Sequence, residues 1–189
     1  MMSIRILVIA SLLLGGAISA HAEVGGMLGA RSTWLAGDSR DDSRLNFAVA
    51  GLAMHALPNG FAVGAEAGVW ISGSAEVRLI DIVVPVLGRY TYVLGPRHRL
   101  RATLGIAPAL RVKTEERRSP ESDSEYWADI DDVRRWDVAV LVGVGYQYVG
   151  TNNPFVELRM SRGLVTIDAR DMPLAIVGRE IGLWVGVAR

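Results

Sequence analysis

EVRLIDIVVPVLGRYTYVLGPRHRLRATLGIAPALRVK, residues 76–113, holds two runs of alternating residues separated by Gly95-Pro96-Arg97-His98. In the first run Ile80, Ile82, Val84, Val86, Tyr90 and Tyr92 share one parity, and Asp81, Pro85, Arg89 and Thr91 share the other. In the second, Leu100, Ala102, Leu104, Ile106, Pro108, Leu110 and Val112 alternate with Arg99, Arg101, Thr103, Gly105, Ala107, Ala109, Arg111 and Lys113. A period of two marks strands. One face is almost wholly apolar and the other carries charge. That combination suits the wall of a closed barrel in a membrane, where each backbone amide must be paired without water.

Working outward, the same pattern divides the chain into eight candidate strands bounded by turn residues: 24–35, 45–57, 61–72, 76–94, 99–113, 136–149, 155–166 and 180–188. Short connections fall at Pro58-Asn59-Gly60, Gly95 to His98 and Gly150 to Pro154. The other connections, 36–44, 73–75, 114–135 and 167–179, are mostly longer and polar. An even strand count puts every tight turn at the end that carries the termini, the asymmetry of an outer-membrane barrel. Aromatic residues repeat the asymmetry. Tyr90 and Tyr92, Tyr146 and Tyr148, and Phe61 all sit on the apolar parity beside tight turns, with Trp34 and Trp136 at the opposite end. They are the candidate membrane-interface belts.

Residues 1–22 read as a secretory leader: Arg5 as the charged region, Ile6 to Leu14 as the apolar core, and Ala20-His21-Ala22 as a small-x-small cleavage site. Residues 23–189 then form a single barrel domain. Arg5 is the one charge in the leader, so the remainder has 19 basic and 20 acidic residues, a balance that implies no nucleic-acid-binding surface. There is no cysteine, and after the leader no apolar run approaches the ~20 residues of a spanning helix.

Several segments then resemble a known family. Val84-Pro85-Val86-Leu87-Gly88-Arg89-Tyr90, Leu104-Gly105-Ile106-Ala107-Pro108, Asp137 to Tyr148 with Gly143 and Gly145, and Phe155-Val156-Glu157-Leu158-Arg159 followed by Gly163-Leu164 are similar, in order and spacing, to the small outer-membrane β-barrel domain family of porin-family or opacity-type proteins. The resemblance implies an all-β, eight-stranded, antiparallel up-and-down barrel in the outer membrane of a Gram-negative bacterium. It also implies contact with outer-membrane lipids and lipopolysaccharide, insertion by the barrel-assembly machinery, and surface loops open to a host or surface ligand. The chain departs from the family in ending Val187-Ala188-Arg189, where such barrels usually end in an aromatic residue.

The candidate site residues are the inward charges Arg31, Glu66, Asp81, Arg89, Arg101, Arg111, Asp137, Glu157, Arg159 and Glu180. An eight-stranded barrel is just wide enough to be filled by side chains, so these opposite charges are expected to pair as a plug. Inward Gly105, Gly143, Gly145, Gly182 and Gly186 are expected to make room for long arginine side chains. No cofactor is called for. A lipid-A-modifying hydrolase would need a serine and histidine pair, and His55 and His98 lie in no such motif. His55 would face inward if Asn59-Gly60 formed a two-residue turn pairing it with Gly64. Zinc is disfavoured by the missing cysteines and isolated histidines. The 114–135 segment is acidic, and Asp129-Ile130-Asp131-Asp132 lacks the glycine and distal glutamate of a calcium loop. Arg117, Arg118, Arg134 and Arg135, with Arg40 and Arg44, are suited to lipopolysaccharide phosphates. A soluble periplasmic lipocalin-like carrier shares the period of two, but its outward face would be the charged one.

Register follows from face matching. Directly opposed residues in an antiparallel pair share a face, so inward Asp81 and Arg89 must oppose odd-numbered residues of the next strand. A three-residue loop satisfies this. Pro96-Arg97-His98 would place Asp81 opposite Lys113, and Gly95-Pro96-Arg97 would place it opposite Arg111.

Overall fold

The structure is a computed structural model that describes residues 22–36, 44–73, 77–118, 126–129, 135–164 and 177–189. Ten strands are described: β1 (Ala22–Ala36), β2 (Arg44–Ala56), β3 (Phe61–Gly73), β4 (Val77–Val83), β5 (Val86–Gly95), β6 (His98–Arg118), β7 (Tyr126–Asp129), β8 (Trp136–Tyr148), β9 (Pro154–Gly163) and β10 (Val177–Ala188). Each pairs antiparallel with its neighbour, and β10 returns to β1, so the sheet closes into a barrel of eight staves. Among the described residues, closure gives each of the eight staves a paired neighbour on both sides. At the tight-turn end it is completed by reciprocal bonds between the backbones of Val24 and Arg189, at 2.7 and 2.8 Å.

The fourth stave consists of β4 and β5, interrupted at Val84-Pro85 because proline has no amide to give the ladder. Pairing nevertheless continues through the break. The Glu66 amide donates to the Pro85 carbonyl (2.9 Å) and the Val84 amide to the Pro108 carbonyl (3.0 Å). The register against β3 and β6 is unchanged, with Val83 opposite Gly68 and Ala109 and Val86 opposite Ala65 and Ile106.

Side chains alternate between an interior that mixes charged and aromatic groups with aliphatic ones such as Leu52, Met54, Leu87 and Leu141, and an apolar exterior. Outward positions such as Leu28, Phe47, Leu104 (61% exposed) and Val144 (63% exposed) ring the barrel. The interior accommodates its bulk through glycine. A Cβ on Gly182 would stand 2.7 Å from the Arg31 Cγ, and one on Gly143 would stand 2.7 Å from the Glu157 carboxylate. Gly186 and Gly105 instead make way for Phe155 and Leu87, so their room serves apolar groups where arginines were expected.

Three local details differ from the alternation. The β2–β3 turn uses three residues, with Asn59 (φ 61°) and Gly60 (φ 81°) both left-handed. His55 therefore opposes Val63 and faces outward, correcting its expected inward placement. The β5–β6 hairpin takes the register expected of a Gly95-Pro96-Arg97 loop, with Arg89 opposite Thr103 and Asp81 opposite Arg111, but reaches it through a two-residue Pro96-Arg97 turn closed by Gly95 opposite His98 and a bulge at Leu94. One residue beyond the Asp81–Arg111 pair, a bulge between Ile80 and Asp81 pairs Ile80 with Lys113, which turns Lys113 outward although its parity placed it inside. Finally, β6 continues to Arg118 and pairs with β7, so part of the expected 114–135 loop is a projecting hairpin. Residues 130–132 of the acidic run and Arg40 and Arg134 of the loops lie outside the described residues, as do residues 1–21 of the leader.

In detergent the purified chain is expected to give a strand-dominated circular dichroism spectrum and to migrate differently before and after boiling; a helical spectrum would contradict the fold. Gly29→Val is expected to lower the unfolding free energy by about 1–3 kcal/mol in a denaturant titration, because its Cβ would meet the Trp184 ring at 2.7 Å.

Candidate functional site

Among the described residues, the lumen is where titratable groups gather away from water. Its centre is Arg159, projected from β9 across the barrel towards β3. Its Nη1 and Nη2 donate to the two Glu66 oxygens at 2.6 and 2.8 Å, and its Nε donates to Glu157 Oε1 at 2.8 Å. Glu66 is 0% exposed. A fork-to-fork contact of this kind is the strongest pairing the side chains allow, and it satisfies charges that would be prohibitive alone.

Above it, Arg31 on β1 pairs with Glu180 on β10, which also accepts a bond from the Ser161 hydroxyl at 2.7 Å. The Arg31 guanidinium lies 4.1 Å over the Trp70 ring, and Trp70 packs against Trp184 with ring centroids 5.8 Å apart. Arg159 in turn lies 5.1 Å over Trp184. The cations are thus layered between indole faces, which attract positive charge. A void of about 10 Å³ remains among Arg31, Trp70, Arg159, Glu180 and Trp184, about the volume one water needs.

Towards the loop end Arg111 donates to both Asp81 oxygens, at 3.0 and 3.4 Å. Asp137, on β8 opposite Ala109, is half-buried, and its Oδ1 accepts from the Val138 amide at 2.7 Å. On the projecting part of β6, beyond the last β6–β8 pair, Glu115 accepts from Lys113 (2.5 Å) and from Arg78 (3.1 Å). The Lys113 hydrogen bond, more than Arg78, holds the Glu115 carboxyl below the usual glutamate range. At the tight-turn end Arg89 and Arg101 are buried near Glu23.

Of the ten charges singled out from the sequence, Arg31, Glu66, Asp81, Arg89, Arg101, Arg111, Glu157 and Arg159 are buried and Asp137 and Glu180 half-buried, in separate groups rather than one chain. The sequence reading missed Glu23, Thr103, Trp70, Phe155 and Trp184. Trp184 shares the parity of Glu180, and Phe155 that of Glu157, so alternation could have placed both inside. Among the aromatics expected at the interfaces, Phe61, Tyr90, Tyr92, Trp136 and Tyr146 face outward and are exposed, and Tyr148 is half-buried. Phe61 and Tyr90 stack at 4.9 Å, and His98 Nδ1 meets the Tyr146 hydroxyl at 2.5 Å while its ring packs edge-on against Tyr148. The Trp34 side chain lies outside the described residues. No group of three or more metal-ligating side chains occurs among the described residues.

Geometry and polarity together define a small, side-chain-filled barrel of the outer-membrane type. Solved structures bear out the fold. Neisserial surface protein A superposes with a TM-score of 0.55 at 11% identity, covering 89% of this chain and 97% of its own. The outer membrane enzyme PagL also superposes at 0.55 and 11% identity, covering 85% of this chain and 98% of its own. No family model matches the sequence, and no curated protein matches it.

Glu66→Ala is expected to destabilise the barrel by about 1–3 kcal/mol, since it leaves Arg159 Nη1 and Nη2 buried without their acceptors and Glu157 as the one bonded carboxylate. Arg159→Met, which strands both Glu66 and Glu157, is expected to cost more, about 3–5 kcal/mol. Urea unfolding in lipid vesicles measures both. Charge reversal of Asp81 to Lys is expected to destabilise in the same assay, because it sets a cation against buried Arg111.

Proposed function

We propose that this chain is an integral protein of the outer membrane of a Gram-negative bacterium, exported by a cleaved leader at residues 1–22 and folded over residues 23–189, with a plugged lumen and a structural or surface-interaction role carried by its loop end. The observation that carries this reading is the inverted polarity. Charged residues are buried in the interior beside aliphatic and aromatic ones, while a continuous apolar belt from Leu28 and Phe47 through Leu104 and Val144 to Leu183 covers the outside. Soluble proteins rarely expose contiguous apolar patches beyond a few hundred Å². In a bilayer the same belt is the favourable surface, and the tyrosines, Phe61 and Trp136 take the headgroup levels. A lipocalin-like carrier would have the opposite polarity.

The lumen network acts as a plug because Arg159 bonds to Glu66 across the barrel, Arg31 and Arg111 pair with Glu180 and Asp81, and Arg31 and Arg159 lie against indole faces. Function then resides in the projecting segments, including the β6–β7 hairpin. Their arginines are suited to lipopolysaccharide phosphates, and the tips are open to a host or surface ligand. Assembly would pass through the barrel-insertion machinery despite the terminal Arg189.

The fold also serves an enzyme, PagL, so fold alone does not decide against catalysis. The histidines of this chain favour the non-enzymatic reading. His98 bonds to Tyr146, and His55 stands on the outward face opposite Val63, with no serine beside it on the paired strand.

Protease cleavage of a site inserted at residues 119–125 in intact cells tests the topology. Cleavage from outside with fractionation to the outer membrane is expected, whereas recovery as a soluble periplasmic monomer would defeat the proposal. In planar bilayers the barrel is expected to show no stable large-conductance steps.

A further inference from the structure

Arg89 and Arg101 stand apart from every other cation in the lumen. They are 3% and 2% exposed, yet none of their six guanidinium nitrogens has a hydrogen-bond partner among the described residues. Their nearest carboxylate, Glu23, is 3.6 Å from one and 3.8 Å from the other, beyond donor reach, and its Oε1 is likewise unbonded. The Thr103 hydroxyl is buried beside them without a partner. These groups are neighbours by register: Thr103 lies directly opposite Arg89, and Arg101 is two residues along the same strand, opposite Thr91. Phe155 holds the Arg101 guanidinium from one side at 4.4 Å.

Leaving two guanidiniums buried and unbonded on adjacent strands is costly on two grounds, desolvation and like-charge repulsion. Three carboxylates, Glu23, Glu66 and Glu157, balance the three guanidiniums of Arg89, Arg101 and Arg159 in charge, but the hydrogen bonds are unevenly placed. Glu66 and Glu157 bond to Arg159, while Arg89 and Arg101 have Glu23 within ion-pair distance and no bond among the described residues. Glu157 exerts its field on both arginines, but its hydrogen-bonded oxygen is held by Arg159.

We infer that Arg89, Arg101 and Thr103 form a binding site for a small free oxyanion of the phosphate or sulfate class, entered from the tight-turn end past the partly exposed side chain of Glu23. A tetrahedral oxyanion presents several acceptors to two planar donor forks and one hydroxyl, and it supplies the hydrogen-bond acceptors the pair lacks. Glu23 is the competing counter-ion: it approaches both arginines without bonding to either, so an anion can enter without breaking a hydrogen bond. Lipid headgroups are not the source, since all three side chains face the lumen.

The test is calorimetric titration of inorganic phosphate, and separately sulfate, into the full-length barrel in detergent, with nitrate as the monoanionic comparison. One phosphate or sulfate per barrel is expected, bound more tightly than nitrate. Arg89→Gln and Arg101→Gln are each expected to weaken binding at least about tenfold, equivalent to ~1.4 kcal/mol. Glu23→Gln is expected to strengthen it. Should either arginine variant fail to show the boiling-dependent mobility of the folded barrel, Thr103→Val serves in its place and is expected to weaken binding. Absence of saturable binding by folded wild type and Glu23→Gln, or undiminished affinity in folded variants of the three site residues, would overturn the inference.

Discussion

An eight-stave barrel is about one layer of side chains wide inside, and this constraint governs what the interior can hold. A charge on one wall has no water to solvate it and must find its partner on another wall within side-chain reach. Arg159 reaching from β9 to Glu66 on β3 is the clearest consequence, since those strands are on opposite sides of the closed sheet. Remove Arg159, and Glu66 becomes an uncompensated charge in a space it cannot leave.

Aromatic side chains complete the interior where carboxylates do not. Trp70, Trp184 and Phe155 each lie under a guanidinium, so they occupy volume and supply an attractive face at the same time. Glycine makes this density attainable. Gly29 accepts the Trp184 ring, Gly186 the Phe155 ring, and Gly182 the Arg31 stem, each where a Cβ would collide. The pairing of small and large residues across neighbouring strands is therefore a packing rule of this lumen, independent of its charge.

Polarity separates the two surfaces of one sheet into different solvents. The exterior buries nothing within the protein, and its apolar belt gains its stability only from what surrounds the barrel. The interior gains its stability from pairing and stacking. The tight-turn end is the exception, where Arg89 and Arg101 have little of the former among the described residues.

Alternation in the sequence was enough to determine the strand count to the level of staves, the face of the buried charges, the outward belt, and the even-sum register that brings Asp81 to a cation. Period two encodes face directly, so these properties needed no tertiary information. It could not determine which cation. The choice of Arg111 over Lys113 depended on where the hairpin turned, and the bulge beyond Asp81 then reversed the face of Lys113. His55 was misplaced for the same reason, because one additional turn residue shifts a strand by one position and exchanges its faces. The pairs that cross the lumen, Arg159 with Glu66 and Arg89 and Arg101 with Glu23, were beyond the sequence entirely. They join residues on non-adjacent strands, and only closure of the sheet brings those walls together.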